Sequence, residues 1–498
     1  MKRATVVATI DGPISASALA ALPPEVKWLE VRAELDPRWL RQHFNGRLLY
    51  ASHDAEDREQ RILDAARDYD FVELEEGDLS PAMLDAIPPS RRVIAWYGPV
   101  AACGELAETL ARLSRHAARF YRVVIRAERA GDELAPLQLL HDVRRSDVVA
   151  YAEGPIGTWT RIVALQLGSP LVFGSVTDEI ERDGVPSVEQ LVTDYGLPMV
   201  CDAAELFAIA GSPVYRSLSP RLHNAAFRAL QRAALYIAFH VPDFDPFWQS
   251  IVASGALDAL GLPLRAICVV SPHKEIALSS TKSKTYFVQQ AASTNFMVRD
   301  SGHGWTADTT DPEGVLLTLR ERGVEPAKQR VAVVGCGGSG RAIASALSQS
   351  GADVTLVNRG LDRGALAVRL LQLPFVPLSK FSADDFSIVI NATPLGRDGE
   401  SLPFVVDPSR KDAVVVDLVY GSSPTPLVAS ARMAGQVTID GVDVLLAQVR
   451  SQFRLMTGEE MPEGIASETR GVSRRPHEDI PIWRASAPRK KDDVESPA

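Results

Sequence analysis

The stretch RVAVVGCGGSGRAIASALSQSGADVTLVNR, residues 330–359, joins two apolar runs through a glycine-rich turn and an amphipathic segment. Its glycines Gly335, Gly337 and Gly340 form the pattern G-x-G-x-x-G where the first predicted strand ends and a helix begins. Glycines at this spacing let the backbone approach a pyrophosphate, which then lies at the helix N-terminus. The stretch therefore predicts a Rossmann sheet that binds a dinucleotide, and the weaker alternative is a tight turn without a ligand.

The end of the second apolar run indicates which dinucleotide is bound. A site for NAD would place a carboxylate there for the ribose hydroxyls, but this chain has Asn358 and Arg359, with Arg363 shortly after. A carboxylate would repel a 2′-phosphate, whereas guanidinium groups match its geometry. We therefore expect NADP as the cofactor. The alternative for Arg359 is an ordinary solvated arginine on the surface.

The regions around this stretch form further predicted domains. Residues 311–440 add the apolar runs SIVINAT, AVVVDLVY and QVTID, which complete a doubly wound sheet. Residues 204–310 carry the strand-like runs LFAIAGSPV, LYIAFHV and RAICVVS, and we expect the helix 441–458 to return to this second α/β domain. We expect the polar tail, residues 461–498, to be disordered.

The first segment, residues 1–203, alternates strand-like runs with amphipathic helical stretches. The eight runs are TVVATI, KWLEVR, LLYAS, FVELE, RVIAWY, YRVVIR, DVVAYAE and PLVFGS. Eight strands separated by helices predict a (β/α)8 barrel. Periodicity alone leaves an open parallel sheet as the alternative.

The bulk properties narrow the class of protein. The 498 residues are too many for one hydrophobic core, and 46% hydrophobic with 23% charged residues is ordinary for a globular chain. A net charge of −10 without a large basic block argues against nucleic acid as a partner. The four cysteines are scattered, which argues against a disulfide framework or a zinc site, and no apolar run is long enough to span a membrane. We expect a cytoplasmic multidomain enzyme.

Several motifs occur in one order between residues 205 and 455. They are SPVYRSLSP, PHKE, STNF, TTD, GCGGSGR, NRGLDR, NATPLG, DLVYGSSPTPL and DGVDVLLAQ. In this order they resemble the shikimate dehydrogenase family, which reduces 3-dehydroshikimate to shikimate with NADPH on the route to chorismate and the aromatic amino acids. The agreement of several independent motifs makes the resemblance highly specific.

The resemblance implies a role for individual residues. It makes Lys274 the catalytic lysine and Asp311 its partner, and ketone reduction does require a proton donor beside the oxygen that gains charge. The residues implied for the substrate are Ser217 and Ser219 at its carboxylate, Tyr420 near that carboxylate, and Asn295 and Gln448 at the ring hydroxyls. The residues implied for the cofactor are Gly335, Cys336, Gly337, Gly338, Ser339, Asn358, Arg359, Arg363, Thr393, Leu418 and Gly441.

The chain also departs from the family pattern. Val270 replaces a threonine that contacts the substrate, with Ser271 after it, and Thr309 and Pro312 replace an asparagine and a glycine beside Asp311. These changes leave quinate or another related hydroxy acid open as the substrate.

The first segment resembles, more faintly, the type I 3-dehydroquinate dehydratases, which precede shikimate dehydrogenase on one chain in plants and some bacteria. The motif residues implied are Glu30, Arg32, Glu75 and Arg161. The family's Schiff-base lysine, its histidine and a late glutamine correspond here to Val124, Gly98 and Val185.

The missing amine decides what we expect of this barrel. No lysine occurs between Lys27 and Lys274, and Lys27 belongs to the wrong end of a barrel for catalysis. A Schiff base needs a primary amine, which arginine cannot supply. We predict a dehydrogenase whose barrel lacks dehydratase activity. The alternatives are an enzyme that keeps both activities and a regulatory pseudoenzyme that binds NADP and a shikimate-like ligand without turnover.

Overall fold

Three large sheets follow one another along the described part of the chain: an eight-stranded parallel sheet, a mixed six-stranded sheet and a parallel six-stranded sheet. A short two-stranded antiparallel sheet joins Lys2–Arg3 to Met199–Val200. The computed structural model describes residues 2–51, 57–177, 184–302, 304–421 and 424–465, so most of the predicted tail lies outside the described residues. Within those ranges, no helix has the length and apolarity that crossing a bilayer requires.

The first domain alternates strands and helices. Its strands are β1 (Lys2–Arg3), β2 (Thr5–Ile10), β3 (Val26–Val31), β4 (Arg47–Tyr50), β5 (Phe71–Glu75), β6 (Arg92–Gly98), β7 (Phe120–Arg126), β8 (Val148–Glu153), β9 (Leu171–Ser175) and β10 (Met199–Val200). Its helices are α1 (Ala16–Ala20), α2 (Pro37–His43), α3 (Arg58–Asp68), α4 (Pro81–Ala86), α5 (Cys103–Leu113), α6 (Leu134–Val143), α7 (Thr160–Gln166) and α8 (Val188–Tyr195). The eight predicted runs are the strands β2 to β9, which lie in the order β8-β7-β6-β5-β4-β3-β2-β9.

One contact shows that this sheet is curved into a nearly closed barrel. Arg122 on β7 binds Glu30 on β3, which lies four strands away in the sheet. In a flat sheet, four strand spacings would separate the two backbones by about 19 Å, beyond the reach of the two side chains. The predicted barrel is therefore confirmed, and the open sheet is wrong.

The second domain is a mixed sheet with helices. Its strands are β11 (Glu205–Gly211), β12 (Ala234–His240), β13 (Leu264–Val269), β14 (Ser283–Lys284), β15 (Phe296–Arg299) and β16 (Trp305–Asp308), in the order β12-β11-β13-β15-β16-β14. Its helices are α9 (Ser219–Ala229), α10 (Phe244–Phe247), α11 (Ala256–Ala259) and α12 (Tyr286–Ala291), with a π-helical segment at Trp248–Ala253.

The third domain is the Rossmann sheet that the glycine pattern predicts. Its strands are β17 (Arg330–Val334), β18 (Asp353–Asn358), β19 (Phe375–Pro377), β20 (Ile388–Asn391), β21 (Val414–Asp417) and β22 (Val437–Ile439). Its helices are α13 (Asp311–Glu321), α14 (Gly338–Gln349), α15 (Leu361–Leu371) and α16 (Pro426–Met433), and α17 (Gly441–Thr457) follows. The strand order β19-β18-β17-β20-β21-β22 is that of a dinucleotide-binding fold. Phe453 of α17 packs against Phe227 of α9, so this helix returns to the second domain.

The barrel and the second domain share one continuous apolar core. Buried residues of the barrel helices and of strands β11 and β12 belong to a single cluster. Within it, the Trp159 ring lies edge-on to Phe239, with 5.0 Å between ring centroids. The barrel is therefore packed against the domain that carries the predicted substrate residues.

Candidate active site

Lys274 lies in the loop that follows β13, at the carboxyl end of that strand. The His273 N–H donates to the Val270 carbonyl at 3.0 Å, and the Lys274 carbonyl accepts from the Thr294 N–H at 2.8 Å. These bonds fix the loop on both sides of the lysine. Its side chain is 19% exposed, so the ammonium is partly desolvated but accessible from the cleft between the second and third domains.

The carboxylate of Asp311 accepts hydrogen bonds from several polar side chains of the cleft. Its Oδ2 accepts from Lys274 Nζ at 2.7 Å. Its Oδ1 accepts from Asn295 Nδ2 at 2.8 Å and from Gln448 Nε2 at 2.9 Å. The two amides hold one carboxylate oxygen and leave the other to the ammonium. Four residues predicted for catalysis and for the ring hydroxyls are thus brought together from the β13 loop, the start of β15, α13 and α17.

A close helix contact places the glutamine of this cluster. A Cβ built on Gly314 of α13 would lie 2.5 Å from Gln448 Cγ, so only a glycine lets α17 approach at this point. Pro312, which departs from the family pattern, occupies the first turn of α13, where its missing N–H breaks no helical hydrogen bond.

The glycine-rich loop of the Rossmann domain touches the same lysine. Ser339 Oγ accepts from Lys274 Nζ at 2.8 Å. A Cβ built on Gly338 would lie 2.8 Å from Ser293 Oγ and 3.4 Å from Lys274 Cβ, so this loop packs directly on the second domain. The predicted proton donor and the glycine-rich loop are therefore neighbours, although Lys274 and Ser339 are 65 positions apart in the sequence.

The two predicted serines lie at the start of α9. The Ser219 N–H donates to Ser217 Oγ at 3.2 Å, and Ser219 is buried. Burial raises the pKa of the Tyr420 phenol, and a hydrogen bond with Ser217 partly offsets that rise. Val270, which replaces a family threonine, packs on this region, because a Cβ built on Gly211 would lie 2.2 Å from its Cγ2. The wall of the cleft is thus less polar at Val270 than the family pattern implies.

The glycine pattern makes an open turn at the end of β17. Gly335 has a φ of +112°, and a Cβ on Gly340 would lie 1.8 Å from the Gly335 carbonyl oxygen, so both positions require glycine. At Gly337 the nearest atom to a built Cβ is Arg363 Nη1 at 3.7 Å. Gly337 is the N-cap of α14, and its backbone is free to meet an anion at a helix N-terminus.

The side chains beside this turn suit a phosphate on the ribose. Arg359 and Arg363 are exposed, and Asn358 Oδ1 accepts from the Cys336 N–H at 3.1 Å. Among the described residues near the end of β18, no carboxylate replaces the arginines where NAD would need one. Cys336 itself is buried, so only its backbone can face a cofactor. The turn, the helix N-terminus and the two guanidinium groups fit a dinucleotide with a 2′-phosphate.

The other predicted cofactor positions lie at the carboxyl ends of neighbouring strands. Thr393, after β20, donates through Oγ1 to Asn391 Oδ1 at 2.7 Å. The Leu418 N–H, after β21, donates to the Asn391 carbonyl at 3.0 Å. A Cβ on Gly441 would lie 2.4 Å from the Val419 carbonyl oxygen, so the chain is tightly packed there. These positions line the crevice in which doubly wound sheets bind ligands.

Sequence reasoning missed one arginine that links the two domains of the cleft. Arg341 on α14 is buried and donates to the Ala291 carbonyl at 2.7 Å and to Glu275 Oε1 at 2.9 Å. Glu275 follows Lys274 in the chain, so the helix that begins at the dinucleotide turn also holds the lysine loop. An arginine within the glycine motif, one turn into a predicted helix, was the signal available in the sequence.

The centre of the barrel holds a second charged cluster. Arg122 binds Glu30, donates to Glu73 Oε2 at 3.1 Å and donates through Nε to the Tyr151 hydroxyl at 3.1 Å. The guanidinium also lies 3.8 Å from the centre of the Phe173 ring. Burial tends to raise the pKa of Glu30, but Arg122 and Arg32 outweigh it and hold that pKa below its usual value. Sequence reasoning missed Arg122 and Glu73.

The residues that sequence analysis did single out in the barrel lie around this cluster. Arg32 Nη2 lies 3.3 Å from Glu30 Oε2. Arg161 is buried, lies 4.2 Å from the centre of the Tyr151 ring and contacts Glu153 at 3.4 Å. Glu75 pairs with Arg58 at 3.0 Å, away from Arg122. Lys27 is the second residue of β3 and is exposed at the amino end of that strand.

The positions that correspond to the dehydratase lysine and histidine carry no titratable group. Val124 follows Arg122 by two residues on β7 and is buried in the barrel interior. Gly98 ends β6. Because side chains alternate along a strand, Arg122 and Val124 face the same interior, with the arginine one layer deeper.

Known proteins match both halves of the chain. A family model for type I 3-dehydroquinase matches residues 48–199. A shikimate dehydrogenase (NADP(+)) of Thermococcus kodakarensis is 34% identical over 264 residues, which cover 52% of this chain and 93% of that protein. The chloroplastic bifunctional 3-dehydroquinate dehydratase/shikimate dehydrogenase of Arabidopsis thaliana is 25% identical over 454 residues, 86% of this chain and 73% of that protein. A crystal structure of shikimate 5-dehydrogenase from Thermus thermophilus with NADP(H) and shikimate has 27% identity and a TM-score of 0.47, covering 54% of this chain and 99% of that one.

The fusion resemblance that the motifs predict is thus confirmed, with a dehydroquinase-like first domain and a dehydrogenase-like remainder. The match to the Thermococcus kodakarensis protein extends over nearly its whole length. Through its second and third domains, this chain belongs to the shikimate dehydrogenase family.

Proposed function

We propose that the chain is an NADP-dependent shikimate dehydrogenase that reduces 3-dehydroshikimate to shikimate. The observation that carries the proposal is the cluster in which Lys274 Nζ lies 2.7 Å from Asp311 Oδ2 and 2.8 Å from Ser339 Oγ of the dinucleotide turn. A cation beside both the cofactor turn and a set of amides suits transfer of a hydride and a proton to one carbonyl group. The activity of the family relatives supports the same reaction.

Each polar residue of the cleft has its own role in this reaction. The bound NADPH supplies the hydride. Lys274 stabilises the charge that develops on the carbonyl oxygen and gives it a proton from Nζ, while Asp311 orients the ammonium. Asn295 and Gln448 are placed to meet ring hydroxyls, and the hydroxyls of Ser217 and Ser219 to hold the carboxylate. A polar substrate can replace the contacts that these side chains now make with one another.

Arg359 and Arg363 account for the choice of NADP. Replacing Arg359 with alanine removes an exposed guanidinium beside the turn, so the KM for NADP should rise about tenfold while the KM for NAD stays unchanged. The matched control is Arg369→Ala, an arginine at the last turn of α15. An equal change in the KM for NADP and for NAD would contradict recognition of the 2′-phosphate by Arg359.

We propose further that the barrel has no Schiff-base dehydratase activity. The chain from residue 28 to residue 273 contains no lysine, and the corresponding position is Val124. Arg122 cannot replace the amine, because its guanidinium remains protonated and each bond it makes is to a buried carboxylate or to Tyr151. Burial raises the pKa of Tyr97, which also makes a tyrosinate base unfavourable in this interior.

Three assays on the purified full chain test both statements. Reduction of NADP with shikimate, and separately with quinate, measures the dehydrogenase and its substrate. The absorbance of the conjugated enone formed from 3-dehydroquinate measures dehydratase activity, and borohydride treatment with that substrate traps any Schiff base. We expect NADP reduction with shikimate, no enone and no adduct. Enone formation would refute the inactive barrel, and a chain that binds NADP without turnover of either acid would be the regulatory pseudoenzyme instead.

A further inference from the structure

The last helix of the barrel, α8, lies against α9, the helix that begins at the serine pair. Gln190 of α8 donates through Nε2 to the Tyr215 carbonyl at 3.3 Å. Tyr215 precedes Ser217 by two residues, and its ring stacks on His240 with 4.9 Å between ring centroids. A side chain of the first domain therefore holds the backbone of the predicted carboxylate loop.

Two more contacts fix the first turns of α9 to the same helix. Arg221 Nε donates to Asp194 Oδ1 at 2.7 Å. Asn224 Nδ2 donates to the Asp194 carbonyl at 3.0 Å and to the Tyr236 carbonyl at 2.9 Å. Asp194 and Asn224 are buried, so these bonds are shielded from water and are made within a packed interface.

We propose that α8 is a positioning element of the dehydrogenase, and that Gln190 is the positioning residue through which the barrel sets the substrate-carboxylate loop. The inference rests on the proposed function, because it assigns the loop of Ser217 and Ser219 to the carboxylate of the hydroxy acid. Two short hydroxyl side chains bind a carboxylate well only when their backbone is held within about 0.5 Å of the productive geometry. The contacts with α8 fix that backbone before Ser217 and after Ser219. A barrel without chemistry of its own thus contributes to the KM of the second domain.

Gln190 makes a second bond that allows its two roles to be separated. Its Oε1 accepts from the Ser187 N–H at 3.1 Å, and its own N–H donates to Ser187 Oγ at 3.2 Å, which forms the capping box of α8. Glutamate serves equally well at this position of a capping box. Gln190→Glu therefore keeps the helix cap but replaces the N–H donor that faces the Tyr215 carbonyl with an oxygen. Because a carbonyl has no hydrogen to donate, the bond to Tyr215 is lost.

The experiment compares steady-state kinetics of the full chain with Gln190→Glu, Gln190→Ala and Glu189→Gln. For Gln190→Glu we expect the KM for shikimate to rise about fivefold, the effect of one hydrogen bond, with kcat, the KM for NADP and the Tm unchanged. Gln190→Ala should raise the KM equally and also lower the Tm, because it loses the cap. Glu189 is exposed on the same helix, so its variant is the matched control and should behave as wild type.

The outcomes distinguish this inference from the function on which it rests. A wild-type chain without NADP reduction by shikimate or quinate would overturn the proposed function. An active wild type with an unchanged KM for shikimate in Gln190→Glu would overturn the positioning role alone. If Gln190→Ala lowered the Tm but left the KM for shikimate unchanged, the contact between Gln190 and Tyr215 would stabilise the fold without positioning the loop.

Discussion

Arg122 in the barrel and Lys274 in the cleft are both cations held against carboxylates by neighbouring polar groups. They differ in exposure: the Arg122 side chain is 1% exposed and Lys274 is 19% exposed. Arg122 is enclosed by Glu30, Glu73 and aromatic rings, so almost none of its side chain meets solvent. Lys274 keeps one side toward the cleft between two domains. The cluster in the cleft is therefore open to a small molecule, whereas the cluster in the barrel is enclosed by protein.

The chemistry of the two cations reinforces this difference. A primary amine can give up a proton or attack a carbonyl group, whereas a guanidinium in protein remains protonated and forms fixed, forked hydrogen bonds. The barrel therefore has the cation that suits a permanent structural pair, and the cleft has the cation that suits proton transfer. Substitutions of the two cations test the comparison, and a substitution at a buried carboxyl group extends it.

The largest effect is expected at the cleft lysine. Lys274→Ala removes the proposed proton donor and should lower kcat for shikimate oxidation about 10³-fold. Lys282→Ala, at an exposed lysine of the following segment, is the matched control and should retain wild-type kcat. A decrease of less than tenfold in Lys274→Ala would remove the basis for treating this cluster as the reactive one.

The barrel arginine should affect stability rather than catalysis. Arg122→Met removes the cation that the buried Glu30 and Glu73 share and leaves Glu30 with Arg32 alone, so the free energy of unfolding should fall by about 3–5 kcal/mol in urea titration. Adding Glu30→Gln and Glu73→Gln should restore most of this loss, because the uncompensated charges are gone. Arg115→Met, at an exposed arginine, is the control. If Arg122→Met lowered kcat for shikimate oxidation but left the free energy of unfolding unchanged, the barrel cluster would take part in the reaction.

Much of the fold could be predicted because burial imposes short-range patterns. The eight barrel strands and the Rossmann order follow from apolar runs and from glycines whose spacing has a steric cause at Gly335 and Gly340. The motifs also named the members of the cleft cluster. They did not show that Gln448 would reach Asp311 across 137 residues, since such a contact depends on how α13 and α17 pack.

The missed residues share the same physical reason. Arg122 is a charged residue in an apolar run, and only the closed barrel reveals Glu30 and Glu73 as its partners. The alternation of side chains along β7 places Arg122 on the same face as Val124. It does not show that Glu30, four strands away, and Glu73, two strands away, are the partners of Arg122. Gln190 was hidden for a similar reason, because its partner is a backbone carbonyl of another domain. Contacts that depend on domain packing leave little signal in one sequence.

The smallest expected effect compares two buried carboxyl groups: Glu30, which pairs with arginines, and Glu133, which forms no ion pair with the described residues. Burial raises the pKa of Glu133 to about 7 from its usual 4.5, although the Gly131 N–H donates to it at 2.8 Å. Since the folded protein binds this proton more tightly than the unfolded chain, Glu133 stabilises the fold below pH 4.5, and that contribution is lost as the pH rises through 7. Glu30, with a pKa lowered from 4.5 to about 2, acts in the opposite sense: its contribution is complete above pH 4.5 and is lost as the pH falls through about 2. In urea titrations, the free energy of unfolding of the wild type should decline by at most about 3 kcal/mol between pH 5 and 8 because of Glu133. Glu133→Gln should remove this decline, and the control Glu128→Gln, at an exposed glutamate, should keep it. If the free energy of unfolding of Glu133→Gln still declines between pH 5 and 8, the decline does not come from Glu133. The opposite pKa shifts of Glu133 and Glu30 would then not explain how stability depends on pH.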